Sequence, residues 1–210
     1  MKNMHSNKRA GFSLTEILIV VGIITLMSAM ILARIPAIRM QARLSTTSSN
    51  IQRIIREAQR RSTSIVEFKA GSGMYPSYGV FFDTASPAQI ILYADCIIDD
   101  DGNGVVNNND NFTFTQSSAD CVGTNGLVKT ELFEEGLMIK AVRIFSVNPA
   151  SGTPQTKGSV EYLRPEPSIW ISDQNGTLIG SGGMAIDIAD ETNTYKKTIV
   201  IWITGNIEIL

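Results

Sequence analysis

Histidine is nearly absent from this 210-residue chain, and cysteine is scarce. The only histidine is His5, and Cys96 and Cys121 have no second pair beside them with which to form a zinc cluster. Because a hydrolase of the triad type needs a histidine base, the commonest nucleophilic chemistry is excluded. We therefore expect a protein that is not an enzyme.

A strong net charge is also missing, since the formal charge is −2. Lys2, Lys8 and Arg9 lie in the first eleven residues, which contain no acid, and the remainder has 15 basic and 20 acidic side chains. This balance creates no general field that attracts nucleic acid. Any binding to DNA would have to come from a local basic patch.

One long apolar run stands near the start of the chain. Residues 17–33 are 17 consecutive uncharged, mostly apolar residues, close to the lower length for a helix that crosses a bilayer. The basic residues before the run predict a cytoplasmic N-terminus and an outer C-terminal part. The only processing signal, residues 8–12, precedes the run, whereas a secretory signal is cleaved after its apolar core. Cleavage there leaves the helix on the mature protein.

Glu16 lies at the edge of this apolar run. An ionisable carboxylate in a membrane span costs about 2.5–3.5 kcal/mol on insertion scales, so it is normally retained for a function. The carboxylate therefore requires a partner.

Residues 11–20, GFSLTEILIV, resemble the type IV pilin and pseudopilin family. The resemblance implies that a prepilin peptidase cuts between Gly11 and Phe12 and methylates the new amino group of Phe12. It also implies that Glu16 pairs with the N-terminal amine of a neighbouring pilin or pseudopilin subunit, at an inner-membrane assembly platform. The alternative is an ordinary signal anchor with a chance glutamate.

The apolar run is followed by a segment with helical periodicity. Ile51, Ile54, Ile55 and Ala58 recur at helical spacing and predict one packing face. Residues 45–50, STTSSN, have weak helix propensity, so the helix either continues through them or breaks briefly with Ser49 or Asn50 as the cap. The predicted organisation is a removed leader (1–11), a membrane and assembly helix (12–35), an amphipathic helix (36–70) and an outer head (71–210).

More narrowly, the chain resembles H-type minor pseudopilins of type II secretion and T-type minor fimbrial pilins, a branch that includes DNA binders. On this resemblance the arginines of the second helical segment form a candidate DNA-binding strip. The alternative is a solvated helix face or an interface with neighbouring subunits. The residues concerned are Arg53, Arg56, Arg60 and Arg61.

Short β-type runs separated by turn residues predict a mostly antiparallel head, and hence an α+β fold in which the second half of the helix packs on the sheets. The predicted strands are 79–82, 89–93, 138–144, 168–171 and 198–203, and a terminal hairpin places residues 207–210 in a sheet. Trp170 and Trp202 are interpreted as packing residues. Asp187, Asp190 and Glu191, near Gly182 and Gly183, are interpreted as a turn.

An aspartate-rich stretch, residues 99–110, follows the spacing of a calcium loop. Gly104 occupies the position of the sharp turn, and Asp110 replaces the usual final glutamate, which shortens one arm. The alternative is an exposed hairpin tip, since the flanks look like strands rather than paired helices. The candidate ligands are Asp99, Asp101, Asn103, Asn107 and Asp110, with the carbonyl of Val105.

Cys96 and Cys121 bracket this stretch. On the outer side of a membrane an oxidising compartment would let them form a disulfide, which contributes about 3 kcal/mol in the chain-entropy model. A structural disulfide is the favoured interpretation over a reactive thiol.

Overall fold

The computed structural model describes residues 13–64, 76–95, 126–163 and 168–210. The chain divides into two compact units, Met1–Met40 and Gln41–Leu210. One helix, α1, spans Leu14–Thr63. Ser13 precedes it as a favourable N-cap residue: its hydroxyl accepts a hydrogen bond from the Thr15 amide at 3.3 Å. Arg60 and Arg61 lie in the last turn, where positively charged side chains interact favourably with the helix dipole.

The helix runs without a break through residues 45–50, so the continuous alternative is the one observed. Ser48 donates its hydroxyl hydrogen bond to the Leu44 carbonyl at 2.7 Å, and Ser49 donates to the Ser45 carbonyl at 2.9 Å. Thr47 and Ser48 are buried. The buried apolar residues on either side, Leu44 and Ile51, anchor the helix in the head and offset the weak propensity of this stretch. The predicted amphipathic segment reached residue 70, whereas α1 ends at Thr63, and residues 65–70 lie outside the described residues.

Two antiparallel five-stranded sheets, together with the end of α1, form most of the described part of the second unit. The first sheet has the order β3-β2-β1-β6-β7, and the second has the order β10-β9-β8-β4-β5. The strands are β1 Ser77–Asp83, β2 Gln89–Asp95, β3 Leu127–Leu132, β4 Leu137–Phe145, β5 Thr153–Gln155, β6 Lys157–Tyr162, β7 Ile169–Ser172, β8 Gly183–Asp190, β9 Lys196–Trp202 and β10 Ile207–Ile209.

The core is built from one face of α1 and the inner faces of the strands. Ile51, Ile54, Ile55 and Ala58 are buried, which confirms the packing face predicted from their spacing. The Ser62 hydroxyl accepts a hydrogen bond from the Tyr78 amide at 2.9 Å, which joins the end of α1 to β1. Each buried Ile contributes about 1.5–3 kcal/mol relative to an exposed one. The end of α1 is therefore an integral part of the head.

The predicted α+β class is confirmed, and the predicted C-terminal hairpin is observed. Ile207 pairs with Ile201, and the Leu210 amide donates to the Thr198 carbonyl at 2.8 Å. Trp202 packs edge-to-face on Phe145, with ring centroids 5.0 Å apart and an interplanar angle of 86°, as the packing interpretation expects.

The interpretation of residues 187–191 as a turn is wrong for Asp187. Asp187 lies inside β8, and all eight residues of that strand are buried. An acidic residue near two glycines is typical of a turn. Asp187 can instead lie in a strand because cations on the neighbouring strands neutralise its charge. Only Glu191 follows the strand, in the connection to β9, while Asp190 ends β8 and accepts a hydrogen bond from the Tyr195 amide at 2.7 Å. Strands β3, β5 and β6 also had no predicted counterpart.

Candidate functional site

The first part of α1 exposes its apolar side chains. By length and composition α1 can cross a membrane, and none of its most apolar 18-residue window is buried. A helix of a soluble core of the same composition would be mostly buried. The described residues between 13 and 40 include no buried side chain. This segment is therefore suited to a lipid or protein environment that the described residues do not supply.

Glu16 lies in the first turn of this exposed segment. Its amide donates to the Ser13 carbonyl at 3.0 Å, and its side chain is exposed. Within the described part of the chain, no lysine or arginine forms an ion pair with Glu16. The carboxylate is thus available to a group that the described residues do not provide.

The four arginines of the predicted DNA-binding strip have two different environments in the structure. Arg61 donates two hydrogen bonds to Glu57, at 2.9 and 2.8 Å, and Arg53 lies 3.5 Å from Glu131. These two guanidinium groups are engaged by carboxylates within the head.

Arg56 and Arg60 have a different environment. Within the described ranges neither forms an ion pair, and both line an open cleft of about 530 Å³ between α1 and the β9–β10 turn. The other lining residues are Gln59, Thr63, Gly205, Asn206 and Ile207. Gly205 has a φ of +88°, which glycine adopts readily, and a Cβ atom at this position would lie 3.9 Å from Nε2 of Gln59 on α1. Two guanidinium groups therefore line this cleft, and such groups can bind an anion.

A polar cluster that the sequence did not indicate lies on the second sheet. Asp187 accepts hydrogen bonds from both terminal nitrogens of Arg143, at 2.5 and 2.8 Å, and from the Thr198 hydroxyl at 2.7 Å. The Lys196 ammonium lies 2.8 Å away. Desolvation acts to raise the pKa of Asp187. The hydrogen bonds that Lys196, Thr198 and Arg143 donate to the carboxylate have a larger combined effect, so the pKa is lowered. Asp187 thus stays ionised and holds three strands together.

A second buried carboxylate, Glu161 on β6, has the opposite environment. Its side chain is 1% exposed, and burial is the largest cause that raises its pKa well above the usual range, followed by the charge of Asp95. Sequence reasoning did not single out Glu161, because neither its spacing nor its neighbours in the chain indicate that it is buried.

Several predicted site residues lie outside the described residues. These are the cleavage residues Gly11 and Phe12, the cysteines Cys96 and Cys121, and the calcium-loop residues Asp99, Asp101, Asn103, Val105, Asn107 and Asp110. In the described ranges, no group of three or more His, Cys, Asp or Glu side chains is placed to hold a metal ion.

An apolar helix that is exposed over its described first part, with one carboxylate near its start, fits a membrane anchor. The family described as the prokaryotic N-terminal methylation motif matches residues 6–32, a region that includes Gly11, Phe12 and Glu16. No curated protein and no solved structure matches the chain.

The matched motif supports a prepilin-type protein, and in general terms a type IV pilin-like or pseudopilin subunit. Proteins with this motif are structural rather than enzymatic, and the motif implies processing by a prepilin peptidase and assembly with other pilin-type subunits. The long apolar helix fits a membrane-anchored pilin.

Proposed function

We propose that this chain is a minor pilin or minor pseudopilin of a type IV pilus or of a type II secretion-like filament. The observation that carries the proposal is the exposed apolar part of α1, with Glu16 in its first turn and within the region that the methylation motif matches. The chain inserts with its N-terminus in the cytoplasm and its head outside the inner membrane, and it enters the filament from an assembly platform.

Processing and Glu16 act together in this proposal. Cleavage between Gly11 and Phe12 creates an ammonium group four residues before Glu16. A carboxylate and an ammonium each lose hydration in an apolar filament core, and pairing between neighbouring subunits offsets both losses while it fixes the axial register. Glu16 is then a determinant of assembly.

The test compares Glu16→Gln with Glu134→Gln in cells that make the filament. Glu134 is an exposed glutamate of the head that lies 3.9 Å from Arg43. We expect Glu16→Gln to insert into the membrane normally but to be lost from sheared filaments by tenfold or more, whereas Glu134→Gln is incorporated like the wild type. Equal incorporation of Glu16→Gln would contradict the proposal, and mass analysis that places cleavage anywhere but before Phe12 would contradict the processing step.

A second candidate function is DNA binding at a pilus tip. It is supported by Arg56 and Arg60, which line the cleft beside Asn206 without carboxylate partners among the described residues. Two guanidinium groups one helical turn apart can contact phosphate groups of a nucleic acid backbone.

The matched variants for DNA binding are Arg56→Ala/Arg60→Ala and Arg53→Ala/Arg61→Ala, which remove equal charge. If the cleft binds DNA, the first pair weakens salt-dependent binding about tenfold or more and reduces the salt slope by about 2, and the second pair has a smaller effect. Equal losses in both variants would indicate a nonspecific charge effect, and no DNA binding by the wild type would eliminate this function.

The aspartate-rich stretch and the cysteines remain part of the proposal. Asp99, Asp101, Asn103, Asn107 and Asp110, with the Val105 carbonyl, bind one calcium ion, and Cys96 and Cys121 form a disulfide that closes this stretch. Calorimetry with millimolar calcium on the wild type and on Asp101→Asn tests the metal, and a mass difference on reduction tests the disulfide.

A further inference from the structure

The outer edge of β10 carries backbone groups that have no strand partner among the described residues. β10 is the last strand of the second sheet, and no strand of the described ranges pairs with its outer edge. The Leu210 amide donates to the Thr198 carbonyl at 2.8 Å, and the Thr198 amide donates to the Leu210 carbonyl at 3.1 Å. Because hydrogen-bonded pairs alternate along an antiparallel ladder, Ile207 and Ile209 direct their amide and carbonyl groups away from β9. This edge can therefore accept a further strand.

The other edge strand of the same sheet, β5, is protected in a way that β10 is not. β5 contains Pro154, which has no amide hydrogen to donate to an added strand. β10 has no proline, and its one charged residue, Glu208, accepts a hydrogen bond from Asn206 at 2.7 Å. Because side chains alternate along a strand, Glu208 lies on the opposite face from Ile207. β10 is thus the more open of the two edges of this sheet.

The open edge of β10 and the cleft beside α1 meet at Ile207, which lines that cleft together with Arg56 and Arg60. The two arginines are four residues apart on α1, so their side chains leave the same face of the helix. Among the described residues that line the cleft, none is acidic, and neither arginine forms an ion pair within the described ranges. The same place therefore offers a strand edge and two positive charges.

An extended protein segment with an acidic side chain matches both features. Its backbone supplies donors for the carbonyl groups of Ile207 and Ile209 and acceptors for their amides, as strand addition at a sheet edge requires. An aspartate or glutamate supplies a carboxylate, which guanidinium groups bind through charge-assisted hydrogen bonds. The sugar-phosphate backbone of DNA offers acceptors to the arginines but no row of amide donors to the carbonyls. The groups present here therefore favour a protein segment over a nucleic acid.

We propose that the β10 edge and the adjoining cleft bind an extended acidic segment of a protein partner. The segment pairs with Ile207 and Ile209 as a further strand of the second sheet, and one of its carboxylates contacts Arg56 and Arg60. The inference goes beyond assembly through Glu16, because it concerns the head alone. Its failure would leave the pilin-type function intact, and normal incorporation of Glu16→Gln into filaments would leave this inference intact.

The experiment measures the binding of a fluorescent peptide to the purified full-length chain in micelles of an uncharged detergent. The probe is a short peptide of alternating aspartate and valine. One comparison peptide has lysine in place of aspartate. Another keeps the aspartates but is N-methylated at every backbone amide, so it cannot donate hydrogen bonds to the edge. Fluorescence anisotropy gives the affinity, and hydrogen exchange followed by NMR gives the protection of the Ile207 and Ile209 amides.

Two pairs of variants separate the strand edge from the charges. Ile209→Pro removes an outward amide without removing a hydrogen bond to β9, and proline is tolerated on an edge strand when its nitrogen faces outward. Its control, Ile209→Val, keeps the amide. Arg56→Ala/Arg60→Ala removes the guanidinium groups of the cleft. The control Arg53→Ala/Arg61→Ala removes equal charge from the same helix, at positions engaged by carboxylates of the head.

We expect the acidic peptide to bind the wild type and to slow hydrogen exchange of the Ile207 and Ile209 amides by tenfold or more. N-methylation of the peptide, Ile209→Pro and Arg56→Ala/Arg60→Ala should each weaken binding by tenfold or more, and the lysine peptide should not bind. The two control variants should stay within about twofold of the wild-type affinity. Ile209→Pro should melt at the wild-type temperature, because the amide that it removes is not bonded within the sheet.

Three results would overturn the proposal. One is equal affinity of the wild type for the unmodified and the N-methylated acidic peptides, which would mean attraction between charges without strand addition; this comparison holds even if Ile209→Pro fails to fold. Another is binding of a short single-stranded DNA but not of the acidic peptide, which would assign the cleft to nucleic acid. The third is self-association of the wild type that Ile209→Pro abolishes, which would make a second copy of this chain the occupant.

Discussion

Residues 13–40 and residues 41–210 both contain many isoleucine, leucine and valine side chains, but the two units place them differently. Ile24 in the first unit is 56% exposed, whereas Ile54 in the second unit is fully buried. The acids differ in the same way: Glu16 has no ion-pair partner in the described ranges, whereas Asp187 receives hydrogen bonds from Arg143 and Thr198. The second unit thus buries Ile54 and itself supplies the partners of Asp187.

This difference between the two units indicates which one stabilises the fold and which one is suited to contacts with lipid or other subunits. Burial of apolar side chains is the main favourable contribution to folding, so the folding free energy comes mainly from the second unit. A unit that leaves its apolar residues and its carboxylate uncovered gains stability only from lipid or from other subunits, which is what a pilin-like subunit requires of its N-terminal helix.

The largest expected effect on the head comes from its buried isoleucines. Ile54→Ala should lower the free energy of unfolding of the head by about 2–5 kcal/mol, because it leaves a cavity in the core. Ile24→Ala is the matched control and should leave that free energy unchanged. Denaturant unfolding of the full chain in detergent micelles measures both. If both variants lost a similar free energy of unfolding, the proposed difference between the two units would be wrong.

Asp187→Asn should have the next largest effect, about 2–3 kcal/mol, because it leaves Arg143 and Lys196 without their shared carboxylate. Because the folded-state pKa of Asp187 lies below its unfolded value, its contribution is present above about pH 4 and is lost as the pH falls through the folded pKa. The difference between wild type and Asp187→Asn should therefore narrow in acid. A difference that stays constant down to about pH 2 would contradict this role.

The smallest expected effect is that of Glu57→Gln on α1. Glu57 bonds Arg61 at 2.8 Å and lies 3.9 Å from Arg53, and partly exposed pairs of this kind contribute about 0.3–0.5 kcal/mol. The variant should barely change the melting temperature, yet it removes one negative charge from the helix that carries Arg56 and Arg60. If the cleft binds DNA, affinity at low salt should rise. A loss of several kcal/mol would show that Glu57 is a core residue of the head.

Sequence patterns predicted the features that local physics controls. The apolar run, the position of Glu16 and the buried stripe with Ile51 and Ile54 follow from composition and helical period, which depend only on neighbouring residues. The C-terminal hairpin followed from a turn motif between two apolar runs.

Sequence patterns did not predict the features that depend on contacts with residues far away in the chain. Residues 45–50 look like a helix break, but the helix persists because Leu44 and Ile51 on either side are buried in the head. Asp187 looks like a turn residue, but it is compatible with a central strand because β4 and β9 bring cations and a hydroxyl to it. β9 is the next strand along the chain, but β4, which supplies Arg143, lies much earlier, and the residues around position 187 do not reveal it.

By itself, the sequence determined that the chain has an apolar helix with one acid at its start and a β-rich remainder, because these properties are set by residue type and short-range spacing. Only the tertiary structure decided that Arg56 and Arg60, but not Arg53 and Arg61, face an open cleft, and that Glu161 is buried beside Asp95 while Asp187 is neutralised. Such outcomes depend on strand order and register, which bring residues far apart in the chain to within hydrogen-bond distance.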